Sequence, residues 1–168
     1  MAKDYKACPE LLDADLAKVM KKVSYAVERA KVLNSPHEGY AYIFASMEQL
    51  WKGVTDPAAS STKPLHDGLN LSGAAVRYVL DLTTLSHLPG EDDLQVALDA
   101  VEQEVRKATL KHKPMVSGFE AYGVIAEEVD ELWELVRPDE GRTRMAQTEA
   151  LQVAAMGVRY VLDVVGVD

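Results

Sequence analysis

The chain is short of several things at once, and each shortage closes a class of function. It has one cysteine, Cys8, so neither an internal disulfide nor a paired-thiol metal knuckle can form. No apolar run approaches the roughly 20 residues of a membrane span; the stretch "MGVRYVLDVVGV" is broken by Arg159 and Asp163. The N-terminal "MAKDYKACPELL" lacks the apolar core of a signal peptide, so a cytoplasmic setting without a membrane partner is expected. Positive charge is scarce: 18 Lys and Arg stand against 27 Asp and Glu, a formal net charge of −9. Such a surface repels nucleic acid, and a phosphate-bearing ligand needs a divalent cation or a local basic patch. No G-x-x-x-x-G-K string occurs, which closes the P-loop route to triphosphates.

What is present is helical. The 168 residues are 48% apolar, enough for one ordinary core and one compact domain over 1–168. Leu12, Leu16, Val19, Met20, Val23, Ala26 and Val27 recur at a period near 3.6, with Lys and Glu on the opposite face. A second helix opens at Ser35-Pro36-His37-Glu38, with an N-cap Ser, Pro at the first helical position and a Glu that can close a capping box. Ser117 and Glu120 repeat that pair, so Ser35 and Glu38 read as caps rather than catalytic groups. A third helix is expected from about Leu69 to Leu85, and another from Leu94 to Leu110, capped by Asp92 or Asp93. "TDPAASSTKPLHDG", "HLPGEDD" and "VRPDEGRTR" read as loops. Nothing reads as a strand, so the expected fold is all-α, a bundle of six main helices.

The chain also repeats itself. "SPHEGYAYIFASMEQLWKGV" (35–54) lies over "SGFEAYGVIAEEVDELWELV" (117–136) with matching Ser, Glu, Tyr, Ile, Leu-Trp and Val. The same spacing, without a gap, lays "LNLSGAAVRYVLDL" (69–82) over "LQVAAMGVRYVLDV" (151–164), where "VRYVLD" recurs intact. This reads as a tandem duplication, with repeats of about 10–87 and 92–168 arranged about a pseudo-twofold axis.

The halves differ where the charge is. In "IAEEVDELWELV" (125–136), Glu127, Glu128 and Glu131 crowd one helix, although like charges three or four residues apart are unfavourable. Their counterparts in the first half are Ala45, Ser46 and Gln49, so the fold does not require the carboxylates. Glu128 and Glu131 are one turn apart, and the next helix offers Glu149 and Gln152. Two helices presenting oxygen ligands inward make a site suited to Mg²⁺. The absence of His and Cys from the set argues against zinc. A di-iron site wants Glu-x-x-His, and none of His37, His66, His87 or His112 has a Glu three residues before it. The plainer alternative is a solvated acidic helix face.

These residues resemble a known family. "EEVDEL" (127–132), followed about twenty residues later by "EALQVAAM", is similar to the all-α nucleoside triphosphate pyrophosphohydrolases of the MazG type, whose pattern is E-E-x-x-E on one helix and E-x-x-D on the next. The resemblance covers roughly 100–165 directly and 18–85 through the repeat. It implies Mg²⁺-dependent (or Mn²⁺-dependent) cleavage of a nucleoside triphosphate to monophosphate and pyrophosphate, with Glu128, Glu131 and Glu149 holding metal and Glu127 orienting the attacking water. Family members build sites across a dimer, so this chain would be its own pseudo-dimer with one site retained and one lost; a further homodimer remains open. The sequence departs from the pattern at Gln152, where Asp is expected. An amide coordinates only through its carbonyl and brings no charge, which lowers the expected metal affinity.

Three other features have two readings each. Arg159, seven residues after Gln152 on one stripe, can reach a phosphate, but Arg77 recurs in the first half and each has an Asp four residues on, as a structural pair would. The basic stretch "RKATLKHK", ending at Lys113, flanks a phosphate entrance or is a solvated helix end. Trp51 and Trp133 can stack on a base, but their presence in both halves makes them read as core or groove residues. Two functions are therefore carried: the pyrophosphohydrolase, and a catalytically silent MazG-like bundle serving as a binding or assembly module.

Overall fold

In a computed structural model, which describes residues 3–60 and 62–167, six α-helices follow one another: α1 (Pro9–Arg29), α2 (Pro36–Thr55), α3 (Lys63–Leu82), α4 (Asp93–Lys111), α5 (Gly118–Val136) and α6 (Arg144–Tyr160). A π-helical segment, Val161–Val165, continues α6. The all-α expectation holds, and among the described residues there is no strand. No described helix is long and apolar enough to cross a membrane. Ser61, within an expected loop, and position 168, the expected end of the second repeat, lie outside the described residues.

The caps form as their residue types dictate. The Ser35 and Ser117 hydroxyls accept from the backbone N–H of Glu38 (3.2 Å) and Glu120 (3.1 Å). The returning carboxylates reach one residue further out than in the usual capping box: Glu38 accepts from the N–H of Asn34 at 2.8 Å, and Glu120 from that of Val116 at 2.6 Å. Asp92 caps α4 by accepting from Gln95 N–H at 3.1 Å.

The expected start of the third helix is corrected. "KPLHDG" is not loop but the first turns of α3, which ends at Leu82 instead of Leu85. Pro64 sits in the first turn, where a missing N–H costs nothing. Gly68 lies within α3, and the end of α6 and the π-helical segment pass so close that a Cβ there would meet Tyr160 and Val161 at 2.9 Å. Tertiary contact, not a turn, is the reason for that glycine.

Helices α3 and α6 pack on each other at the centre, with α2 on α3, α5 on α6, and α2 and α5 side by side; α1 covers α3 and α4 covers α6. At the central crossing the Ser72 hydroxyl donates to the Ala154 carbonyl at 2.8 Å. Gly157 faces it so tightly that a Cβ would lie 2.3 Å from Ser72 Oγ and 3.0 Å from the Gly68 carbonyl. Leu71, Val76, Tyr78, Val79, Val153 and Val158 are fully buried around this crossing.

Several contacts recur 82 residues apart. Leu33 N–H donates to Asp81 at 2.9 Å, and Met115 N–H to Asp163 at 3.1 Å. Arg77 pairs with Asp81 as Arg159 pairs with Asp163. Tyr40 packs on Trp133 with centroids 4.7 Å apart, and Trp51 on Tyr122 at 4.6 Å. Both tryptophans are only partly covered, at the α2–α5 seam rather than inside the core.

Candidate metal centre

The local sequence places the acidic groups. On α5, Ala121, Ile125, Val129 and Leu132 form the buried stripe, and Glu128 and Glu131 flank it on the side facing α6 and α4. On α6, Ala146, Ala150 and Val153 are buried, and Glu149 and Gln152 project from the neighbouring edge. The result is a cluster in which ligand oxygens of Glu128, Glu131 and Glu149 lie within 4.8 Å of one another. Glu128 and Glu149 are half-buried and Glu131 is exposed.

Electrostatics follow from that crowding. Burial, then the neighbouring charges of Glu131, Glu149, Glu127 and Glu104, pushes the Glu128 carboxyl up to about 7. Burial, then the charge of Glu131 and a hydrogen bond shared with it, pushes Glu149 up to about 7 as well. Oxygen-only donors, half-withdrawn from water and repelling one another, suit a hard divalent cation.

Gln152 stands in this cluster in an unexpected way. With the amide oriented as its neighbours require, its nitrogen donates to Glu149 Oε2 at 2.7 Å and to Glu128 Oε2 at 3.1 Å. The carbonyl, the only atom that can ligate a metal, points away from the carboxylates. Gln152 therefore bridges two of the acids by hydrogen bonds, where coordination through its carbonyl is the sequence expectation.

A cleft of about 610 Å³ opens beside the cluster, lined on α4 by Glu104, Lys107 and Lys111 and also by Arg159 of α6. Glu127 and Lys113 line it too, both exposed. The basic stretch thus lies along the cleft, with Lys107 tied to Glu104 at 2.7 Å. Arg159 is 3% exposed; one guanidinium nitrogen donates to the Lys113 carbonyl (2.8 Å) and to Asp163 (3.2 Å), while its Nε has no partner among the described residues. Burial raises the pKa of Asp163 despite Arg159 and the Met115 N–H beside it.

No family model, curated protein or solved structure matches this chain. Its function must be argued from the site.

All seven residues expected at the site lie in or beside one cleft. Glu128, Glu131, Glu149 and Gln152 are brought together, and Glu127, Arg159 and Lys113 line the same cleft. Sequence reasoning passed over Glu104, which adds to the field on Glu128. The signal was there: 104, 107, 108 and 111 share one helical face of α4.

Proposed function

We propose that the chain is a divalent-metal-dependent pyrophosphohydrolase of MazG-like kind, cleaving a nucleoside triphosphate to monophosphate and pyrophosphate. In this reading it is a fused pseudo-dimer of two repeats, with the acidic site kept only in the second. The observation that carries it is the convergence of Glu128, Glu131 and Glu149 within 4.8 Å beside a cleft that Glu128 lines. Their first-half counterparts, Ser46, Gln49 and Asp67, form no such cluster among the described residues. The reciprocal Tyr40–Trp133 and Trp51–Tyr122 pairs and the repeated Arg–Asp pairs support the pseudo-twofold relation.

Glu128, Glu131 and Glu149 would hold Mg²⁺ or Mn²⁺, which when bound neutralises charge on phosphoryl oxygens and makes water more acidic. Glu127, exposed and lining the same cleft, would orient the attacking water. The basic wall of Lys107, Lys111 and Lys113 would offer positive charge along the cleft for the anionic tail of a substrate, while Arg159, which also lines the cleft, has its charge largely taken up by Asp163. An acidic chain needs that local compensation.

A second reading, the silent helical module, is favoured by one observation: the Gln152 amide already bridges Glu128 and Glu149. A screen of canonical and modified nucleoside triphosphates, dUTP included, for pyrophosphate release with Mg²⁺ and Mn²⁺ decides between them, with Glu128→Ala as the blank. Release that vanishes in the blank supports the enzyme. No release from any nucleotide, with wild type or with Gln152→Asp, supports the module.

A further inference from the structure

The first half has a cleft of its own, about 370 Å³, between α1, α2 and α3. Its lining corresponds by position to the acidic cleft of the second half. Arg29, Tyr42, Ser46, Gln49, Asp67 and Asn70 stand 82 residues before Lys111, Val124, Glu128, Glu131, Glu149 and Gln152. The cavity has been kept while its chemistry has been exchanged. Two carboxylate positions, those of Glu128 and Glu131, have become the hydroxyl of Ser46 and the amide of Gln49, and the hydrophobic Val124 position has become the phenol of Tyr42.

The one carboxylate left, Asp67, is already neutralised. Lys63 donates to its Oδ2 at 2.8 Å and to the Gln49 carbonyl at 3.4 Å. The counterpart of Lys63 is Met145, so the second half has no such built-in cation. Asp67 therefore needs no metal ion, and its charge does not cancel that of Arg29. The Arg29 guanidinium is exposed at the cleft and enters no salt bridge with a described residue. Around it are uncharged donors, the amides of Gln49 and Asn70 and the phenol of Tyr42, together with the Ser46 hydroxyl, which donates to the Tyr42 backbone carbonyl at 3.0 Å and has its oxygen left to accept.

We propose that this first-half cleft is a second ligand site, which takes a small organic phosphate without a divalent cation. A planar guanidinium binds a phosphate in bidentate fashion, and amides hydrogen-bond the polar body attached to it. A cleft of this size falls within the range of small-molecule sites, about 300–1,000 Å³. The proposal stands apart from the reaction assigned to the acidic cleft, because it requires neither the metal nor Glu128, Glu131 or Glu149.

The test is calorimetric titration of the full chain in excess EDTA, with uridine monophosphate and inorganic phosphate as the two probes. Wild type is expected to saturate with uridine monophosphate, and Arg29→Ala to weaken it at least about tenfold through loss of the charge-assisted contacts. Asn70→Asp, which puts a carboxylate into the cleft from an exposed position, is expected to weaken both probes. Glu128→Ala, altered only in the second cleft, is expected to bind as wild type does. Arg29 is exposed, so its variant is expected to melt as wild type does, and circular dichroism checks this. Failure of both probes to saturate in EDTA overturns the proposal, as does binding that survives Arg29→Ala and Asn70→Asp. Loss of binding in Glu128→Ala alone places the ligand in the acidic cleft and overturns it equally.

Discussion

The Gln152 amide nitrogen lies 2.7 Å from Oε2 of Glu149, and the same nitrogen reaches Glu128 at 3.1 Å. An amide donor between two carboxylates relieves their repulsion in the absence of metal, but it adds no negative charge to hold one. Gln152→Asp reverses both effects. The metal-free variant is expected to lose about 1–2 kcal/mol, the scale of hydrogen bonds to partly exposed charged acceptors, and so to melt several degrees lower. With Mg²⁺ it is expected to gain more than wild type does. Thermal unfolding in EDTA and in Mg²⁺ checks this; equal melting of the two proteins under both conditions refutes the bridging role.

Stability of the metal-free chain is expected to fall as pH rises from about 5 to about 8. Glu128 and Glu149 titrate near 7 in the folded chain, against an ordinary 4.5. Between those values the folded state holds more protons than the unfolded state. The contribution is fully present below 4.5 and is lost as pH rises through 7. Both groups are partly exposed, so solvent screening keeps the effect modest. Melting across this range in EDTA checks the slope, and Glu131→Gln, which removes a repelling charge, is expected to flatten it. A wild-type curve that rises with pH contradicts the assignment.

Metal binding is expected to weaken as pH falls, because the ligands must be ionised to coordinate. Lowering the pH from 8 to 6 protonates most of Glu128 and Glu149, and the apparent Mn²⁺ affinity is expected to fall by about tenfold or more. Affinity independent of pH in this range would place the ion elsewhere.

At the central crossing, Gly157→Ala is expected to destabilise the chain by about 1–3 kcal/mol, the usual penalty for overpacking. The added methyl would lie 2.3 Å from Ser72 Oγ and would break the Ser72–Ala154 hydrogen bond. Ser72→Ala combined with Gly157→Ala is expected to recover part of the loss. Denaturant unfolding of Gly157→Ala, Ser72→Ala and the double variant checks the coupling, and additive effects contradict it.

Much of this architecture was legible in the sequence, for physical reasons that can be named. Ser35, Ser117 and Asp92 mark helix starts because their short side chains reach orphan N–H groups, and they do so here. Glu128 and Glu131 face one point because they are one helical turn apart, and Glu149 meets them because α5 and α6 pack together. The start of α3 was not legible, since Pro64 and Gly68 look like loop residues until α6 is seen against Gly68. The role of Gln152 was not legible either. Its carbonyl and its nitrogen are equally available in sequence, and only the two carboxylates beside it decide which one faces inward. The Lys63–Asp67 pair lay at an i, i+4 spacing that reads as helical only once "KPLHDG" is known to be helix.

The central claim is that Glu128, Glu131 and Glu149 form a divalent-metal site. Titration of Mn²⁺ into the metal-free chain at pH 8, followed by electron paramagnetic resonance, tests it most directly. Wild type is expected to show saturable binding that Mg²⁺ displaces, and Glu131→Gln to show none in the same concentration range. Wild type and Glu131→Gln binding Mn²⁺ alike, or wild type failing to saturate, would contradict the account.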